Sequence, residues 1–140
     1  MLARTAPVFV DTSAWYAVAD AGDSQHAVAT RQFARLSVHR TQLVTTNYVV
    51  SETYTLLRVR LGHTAATEFL RRLRASPRAR RVFVEEAWEA EAERLLDRYA
   101  DQDFSYVDAT SFVTMRRLGI EEAFAGDHHF EVAGFRLATS

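Results

Sequence analysis

Four acidic residues stand where chemistry is easiest to place: Asp11, Glu52, Asp108 and Asp127. Asp11 closes the apolar run Pro7-Val8-Phe9-Val10, and Asp127 follows Ala123-Phe124-Ala125-Gly126. In an open parallel sheet, ligands bind in the crevice beyond the carboxyl ends of the strands, so acids placed after strands face a common space. Glu52 lies in a helical stretch. At about 100° per residue it falls beside Val49, Leu56 and Val59, on the flank of the stripe Val50, Thr53, Tyr54, Leu57 and Leu61. A carboxylate against apolar neighbours is costly unless it is paired. Asp108 shares a helix face with Phe112 and Met115, so it is expected to point toward packed structure.

Left alone in one cleft, such carboxylates repel and some stay protonated. A divalent cation removes the repulsion, and all-oxygen ligands suit magnesium or manganese rather than zinc. One or two such ions lower the pKa of a bound water and neutralise charge on a phosphate oxygen. The expected reaction is hydrolysis of a phosphodiester without a nucleophilic side chain. Each acid also has a plainer use that the sequence leaves open. Asp127 suits a turn, and Glu52 a helix boundary reaching for solvent. Asp108 stands three residues after Ser105, the spacing of a capping box. Asp11 is the least needed for such service, because Thr12 or Ser13 can cap the helix that follows.

Composition removes competitors. There is no cysteine, which excludes disulfides, thiolate metal sites and a cysteine nucleophile. Lysine is absent as well, and all 17 basic residues are arginine. That excludes a Walker A loop and Schiff-base chemistry. It also excludes phosphate-receiver domains and haloacid-dehalogenase-type phosphatases, which end an early strand in Asp but resemble one another in using a lysine beside it. The paired His128-His129 lacks the i, i+4 spacing of a helical metal site, so a histidine zinc site is not expected. Trp15 and Trp88 read as core.

Net charge is −1, yet it is unevenly spread. Arg58 to Arg81 holds eight arginines against Glu68, and Glu85 to Asp103 holds eight acids against Arg94 and Arg98. The two blocks read either as solvated helix faces or as a basic grip on phosphates, for which Arg71, Arg72 and Arg74 are candidates.

The elements that must position these residues alternate. Strands are expected at residues 7–11, 42–45, 82–84 and 123–125, with an edge strand at 135–138. Helices are expected at 14–19, from about 25 to 38 with Ala29, Phe33 and Leu36 inward, from Thr46 or Asn47 to Gly62, and at 64–75, 87–100 and 106–118. Such alternation predicts one α/β domain over residues 1–140, three layers deep around a mostly parallel sheet. No apolar run approaches the roughly 20 residues of a membrane span, and the first residues carry no apolar leader, so a cytoplasmic address is expected.

Four segments together resemble a known family. They are Val10-Asp11-Thr12-Ser13-Ala14-Trp15, Ser51-Glu52-Thr53, Ser105-Tyr106-Val107-Asp108-Ala109-Thr110-Ser111-Phe112 and Gly126-Asp127-His128-His129-Phe130. In order and spacing they resemble the PIN domain, nearest to its VapC branch of toxin ribonucleases from toxin–antitoxin pairs. The resemblance implies an α/β/α fold around a parallel sheet and a magnesium- or manganese-dependent endoribonuclease. By the same likeness Asp11 and Asp108 match the metal ligands. Glu52 and Asp127 match the acids that hold the metal or its waters or act as general base, and Ser13 matches the hydroxyl supporting the first Asp. A homodimer and a small inhibitory antitoxin are implied too. The competing reading is a PIN-like module that binds RNA or protein without cutting. A magnesium-dependent phosphatase for small molecules is a third, and it would want a deep closed pocket.

Overall fold

Pro7 and the β-branched Val8 and Val10 start the chain as a short apolar strand, and everything else is laid around it. The computed structural model describes residues 5–138. The expectation about a leader therefore falls partly on residues 1–4, outside those described.

Strand β1 (Val8–Val10) leads into α1 (Thr12–Ala19) and α2 (His26–Val38). Next come β2 (Leu43–Thr46), α3 (Asn47–Leu61), α4 (His63–Ala75) and β3 (Ala79–Val82). The chain continues through α5 (Glu86–Arg98), α6 (Tyr106–Leu118), β4 (Glu122–Phe124), α7 (His129–Val132) and β5 (Arg136–Leu137). The strands lie in the order β3-β2-β1-β4-β5, and every pairing is parallel. β1 and β2 are buried along their whole length, as expected where helices cover both faces of a sheet. No helix among the described residues is long and apolar enough to cross a membrane.

The order matters for the site. From β1 the chain builds outward to β2 and β3 on one side and to β4 and β5 on the other, so the direction of winding reverses between β1 and β4. A crevice opens at such a reversal, beyond the strands' carboxyl ends. Asp11 follows β1 and Asp127 follows β4, and the Asp11 N–H donates to the Phe124 carbonyl at 3.0 Å. The two strand ends are thus tied at the place where ligands bind.

Three expectations need correcting. The third strand runs over Ala79–Val82, not Val82-Phe83-Val84. It is an edge strand whose register follows β2, with Leu43 opposite Ala79 and Thr46 opposite Val82. An edge tolerates Arg80 and Arg81 because their side chains reach water. Beyond Val82 the ladder stops, since Val84 N–H donates to Asn47 Oδ1 at 2.9 Å instead, and Phe83 is left 65% exposed. Second, α1 is capped by Asp11 itself rather than by Thr12 or Ser13. Third, a one-turn helix, α7, follows Asp127 where no element is expected from the sequence. Gly119, at φ 69° and ψ 29°, ends α6 in the left-handed conformation a glycine adopts at no steric cost.

Beneath the crevice lies an aromatic cluster. Phe112 of α6 meets Phe104 and Phe130 edge-on, each with ring centres 5.0 Å away, and Phe130 in turn meets Phe9 of β1 at 6.1 Å. Phe9, Phe112 and Phe130 are fully buried, so the helices carrying Asp108 and His129 are joined to the central strand through one packed core.

Candidate active site

Asp11 is an acid held inside the protein by its own helix start. It is 4% exposed, and its Oδ2 accepts from Ser13 Oγ at 2.9 Å and from Ser13 N–H at 3.4 Å. Ser13 Oγ also accepts from Gly126 N–H at 2.8 Å. One hydroxyl thus links the first acid to the loop that carries Asp127. Burial is the main influence on Asp11, opposed by the Ser13 hydrogen bond and reinforced by the charges of Asp108 and Asp127, and it is pushed up to about 7.

Asp108 sits in the first turn of α6, 8% exposed. The capping box anticipated from its spacing is present: Ser105 Oγ accepts from Asp108 N–H, and Asp108 Oδ2 accepts from Ser105 N–H, both at 3.0 Å. Capping and site membership are therefore not alternatives here. The same Oδ2 lies 3.0 Å from His129 Nδ1, which donates to it in the Nδ1–H tautomer. Asp127 is more open, with 40% of its side chain exposed. Its Oδ1 accepts from His129 N–H at 3.0 Å, the turn role open to it, and stands 3.9 Å from His129 Nδ1.

Asp11, Asp108 and Asp127 therefore converge, close enough that the last two act on the first. Each keeps one carboxylate oxygen that no hydrogen bond among the described residues engages. Glu52 does not join them in this way. The expectation of a carboxylate pressed against apolar neighbours is overturned: Glu52 is exposed on α3, and Val59 beside it is 78% exposed. Val49 on the same flank is fully buried, so Glu52 stands where that flank passes from core to water. No three His, Asp or Glu side chains among the described residues form a compact ligand set. Asp11 and Asp108, the two buried carboxylates, are the groups best placed to hold a cation.

The sequence sets His129 beside His128 and singles out neither for a role. Only the short α7 turns it onto Asp108, against the edge of the Phe104 ring at 5.6 Å. The candidate RNA contacts Arg71 and Arg72 lie exposed on α4 and share Glu68, each with a nitrogen 2.9 Å from it. Arg74 is exposed on the same helix. Ser13→Ala is expected to lower any rate that depends on Asp11 by roughly 10–100-fold, the usual cost of removing a group that orients a ligand. It also removes the bond that holds the Asp11 pKa down, so a carboxyl titration followed by NMR should move further upward. A titration that stays in place would deny Ser13 its supporting role.

A crevice at a strand reversal, lined by acids from β1, α6 and the loop after β4, defines a class. The PIN domain family model matches residues 8–136, and the chain belongs to the PIN domain family. Among its relatives are the 23S rRNA-specific endonucleases VapC20 of Mycobacterium tuberculosis strains CDC 1551 / Oshkosh and ATCC 25618 / H37Rv. Each is 41% identical over 128 residues, covering 91% of this chain and 95% of the relative. The crystal structure of M. tuberculosis VapC20, there called a sarcin-ricin loop cleaving toxin, matches with a TM-score of 0.85 at 41% identity, over 91% of this chain and 95% of that one. FitAcB from Neisseria gonorrhoeae matches with a TM-score of 0.66 at 14% identity, over 93% and 95% of the two chains, a likeness of fold alone.

Proposed function

We propose that this protein is a magnesium- or manganese-dependent endoribonuclease, the toxin of a toxin–antitoxin pair. The observation that carries the reading is the buried Asp11 facing the charges of Asp108 and Asp127, in a chain 41% identical to an rRNA endonuclease. Three carboxylates gathered without a compensating cation oppose their own ionisation. The donor set is all oxygen, and Asp11 and Asp108 each hold one oxygen in place and leave the other free, which fits a hard divalent ion.

In the proposed mechanism Asp11 and Asp108 would hold the ion, and Asp127 would orient the attacking water and take its proton. Ser13 fixes the Asp11 carboxylate, and His129 fixes that of Asp108. A bound magnesium or manganese supplies a water of lowered pKa and positive charge for the phosphate oxygens. Glu52, exposed on α3, is the further acid that would hold the ion's waters. Arg71, Arg72 and Arg74 hold RNA backbone, the protein acts in the cytoplasm as a homodimer, and a small antitoxin closes the acidic crevice.

The test is cleavage. Purified protein free of partner should cut a mixed RNA pool, or the sarcin-ricin loop RNA named for its relative, when magnesium or manganese is present. Chelation should abolish the cutting, and Asp108→Asn should suppress it. RNA that binds but survives under every metal condition would favour the non-catalytic module instead. Replacing Arg71, Arg72 and Arg74 by Gln should weaken RNA binding across sequences and reduce the slope of log affinity against log salt by up to about 3, roughly one for each phosphate no longer neutralised. Because Arg71 and Arg72 already share Glu68, a smaller change is expected from them than from Arg74. An unchanged slope would make α4 a solvated face.

A further inference from the structure

The crevice does not end at the acids. A cavity of about 370 Å³ opens beside them and shares Ser13, Gly126 and Asp127 with the site, a volume within the range of small-molecule pockets. Val28, Leu56 and Phe124 give it apolar walls. Arg60 and Asp23 also line it, and the Arg60 guanidinium lies 5.1 Å from the centre of the Tyr16 ring, another lining residue.

One lining residue is out of place by ordinary rules. Gln32 of α2 is 3% exposed, and neither its Nε2 nor its Oε1 has a hydrogen-bond partner among the described residues. Buried polar groups are nearly always paired, and an amide left open at both ends is costly. The other sealed side-chain atoms without partners among the described residues are the hydroxyls of Thr41 and Ser111. Gln32 alone among them carries a donor and an acceptor side by side, both sealed within the wall of a cavity next to the acids, so an occupant meets them when the side chain turns into that cavity.

We propose that this cavity takes the base of the nucleotide adjoining the scissile phosphate, and that Gln32 selects that base by pairing both ends of its amide with the base edge. The proposal rests on the endoribonuclease reading. An amide is suited to the work, because its fixed donor–acceptor pair matches the edge of a base bidentately. Flat apolar walls suit an unstacked base, the form in which single-stranded RNA is read. Arg60 can meet the adjoining phosphate, and Asp23 can accept from an exocyclic amino group. Sharing Ser13, Gly126 and Asp127 with the acids fixes the occupant's position as next to the cut.

Two measurements test this. In the first, the ends released from a random RNA pool are sequenced for the wild type and for Gln32→Met, which keeps the length of the side chain and removes its polar end. The wild type should prefer a base at one position flanking the cut, and Gln32→Met should flatten that preference by about tenfold or more, the value of one bidentate pair. The same preference in both overturns the proposal and leaves the ribonuclease reading standing. A wild type that cuts nothing overturns both. In the second, the Gln32 side-chain amide of the wild type is followed by NMR during titration with AMP, GMP, CMP and UMP, with ribose 5-phosphate as control. It should shift with some of the four bases and not with the control. No shift with any of them would mean that a trapped water is the amide's partner, and would overturn the proposal whether or not Gln32→Met folds.

Discussion

Asp11→Asn should stop RNA cleavage and, at the same time, stabilise the metal-free protein at neutral pH. The two effects have one origin. Asp11 is buried and faces two further carboxylates, so its pKa is raised to about 7 in the fold against roughly 3.9 in an unfolded chain. A group whose folded pKa is raised contributes stability that is complete below the unfolded value. That stability is lost as pH climbs through the folded value. Metal-free wild type should therefore lose stability between about pH 4 and pH 8, by an amount on the order of a few kcal/mol for a shift of this size. Asn keeps the shape, retains an oxygen for Ser13 and carries no charge, so the variant should lack that part of the pH dependence and melt above the wild type at pH 8. Magnesium should reverse the order by stabilising only the wild type. Cleavage should fall by at least about a hundredfold, since the variant loses a charged metal ligand. The measurement is melting temperature against pH for both proteins with chelator and then with magnesium. A wild type that melts at the same temperature as Asp11→Asn at pH 5 and at pH 8 alike would show that Asp11 is not held against its charge.

How far these features could be read from the chain depends on the range of the interaction behind each. Asp11 and Asp127 were legible because a strand end in a parallel sheet is a fixed place, and a short apolar run before an acid marks it. The capping box of Asp108 was legible for the same reason, being written within four residues of sequence. Glu52 was misjudged because helical periodicity gives a direction around the axis but not which flank the rest of the protein covers. Along that flank Val49 is fully buried, Leu56 is half-buried and Val59 faces water, so periodicity set Glu52 at a boundary without saying on which side of it. The third strand was shifted for a similar reason: its register is set by hydrogen bonds to Leu43–Thr46, which outweigh the β-propensity of Val82-Phe83-Val84. His129 and Gln32 were not legible at all. Each acquires meaning from a partner or a cavity that only tertiary structure supplies, the first from Asp108 across 21 residues and the second from walls built by α1, α3, β4 and the loops beside them. The parallel pairing follows the alternation of strands and helices, a property of the whole sequence, whereas the reversal between β1 and β4 is a matter of strand order, which alternation leaves open.

Phe112→Ala should be among the most damaging single changes in the molecule, and its damage should reach the acids. Phe112 is fully buried at the middle of α6, one helical turn beyond Asp108, and its ring touches those of Phe104, Phe130 and Phe135. Cutting it to alanine loses the transfer energy of the ring and leaves a void that fixed neighbours cannot fill, at a cost of about 3–5 kcal/mol. A domain of this size has only about 5–15 kcal/mol in hand, so the variant should fold but unfold at much lower denaturant. The position adds a second consequence. Phe130 directly follows His129, and Phe104 packs edge-on against the His129 ring, so the void lies under the contact that fixes the Asp108 carboxylate. Cleavage by the folded fraction should therefore drop as well, whereas an equal loss of stability placed in α4, for instance by Leu73→Ala, should leave the activity of the folded fraction near that of the wild type. Urea unfolding followed on both variants, with cleavage measured well below either midpoint, separates these outcomes. Equal activities would mean that the aromatic cluster holds up the fold without aligning the site, and a cost for Phe112→Ala below about 1.5 kcal/mol would mean that the cluster repacks around the loss.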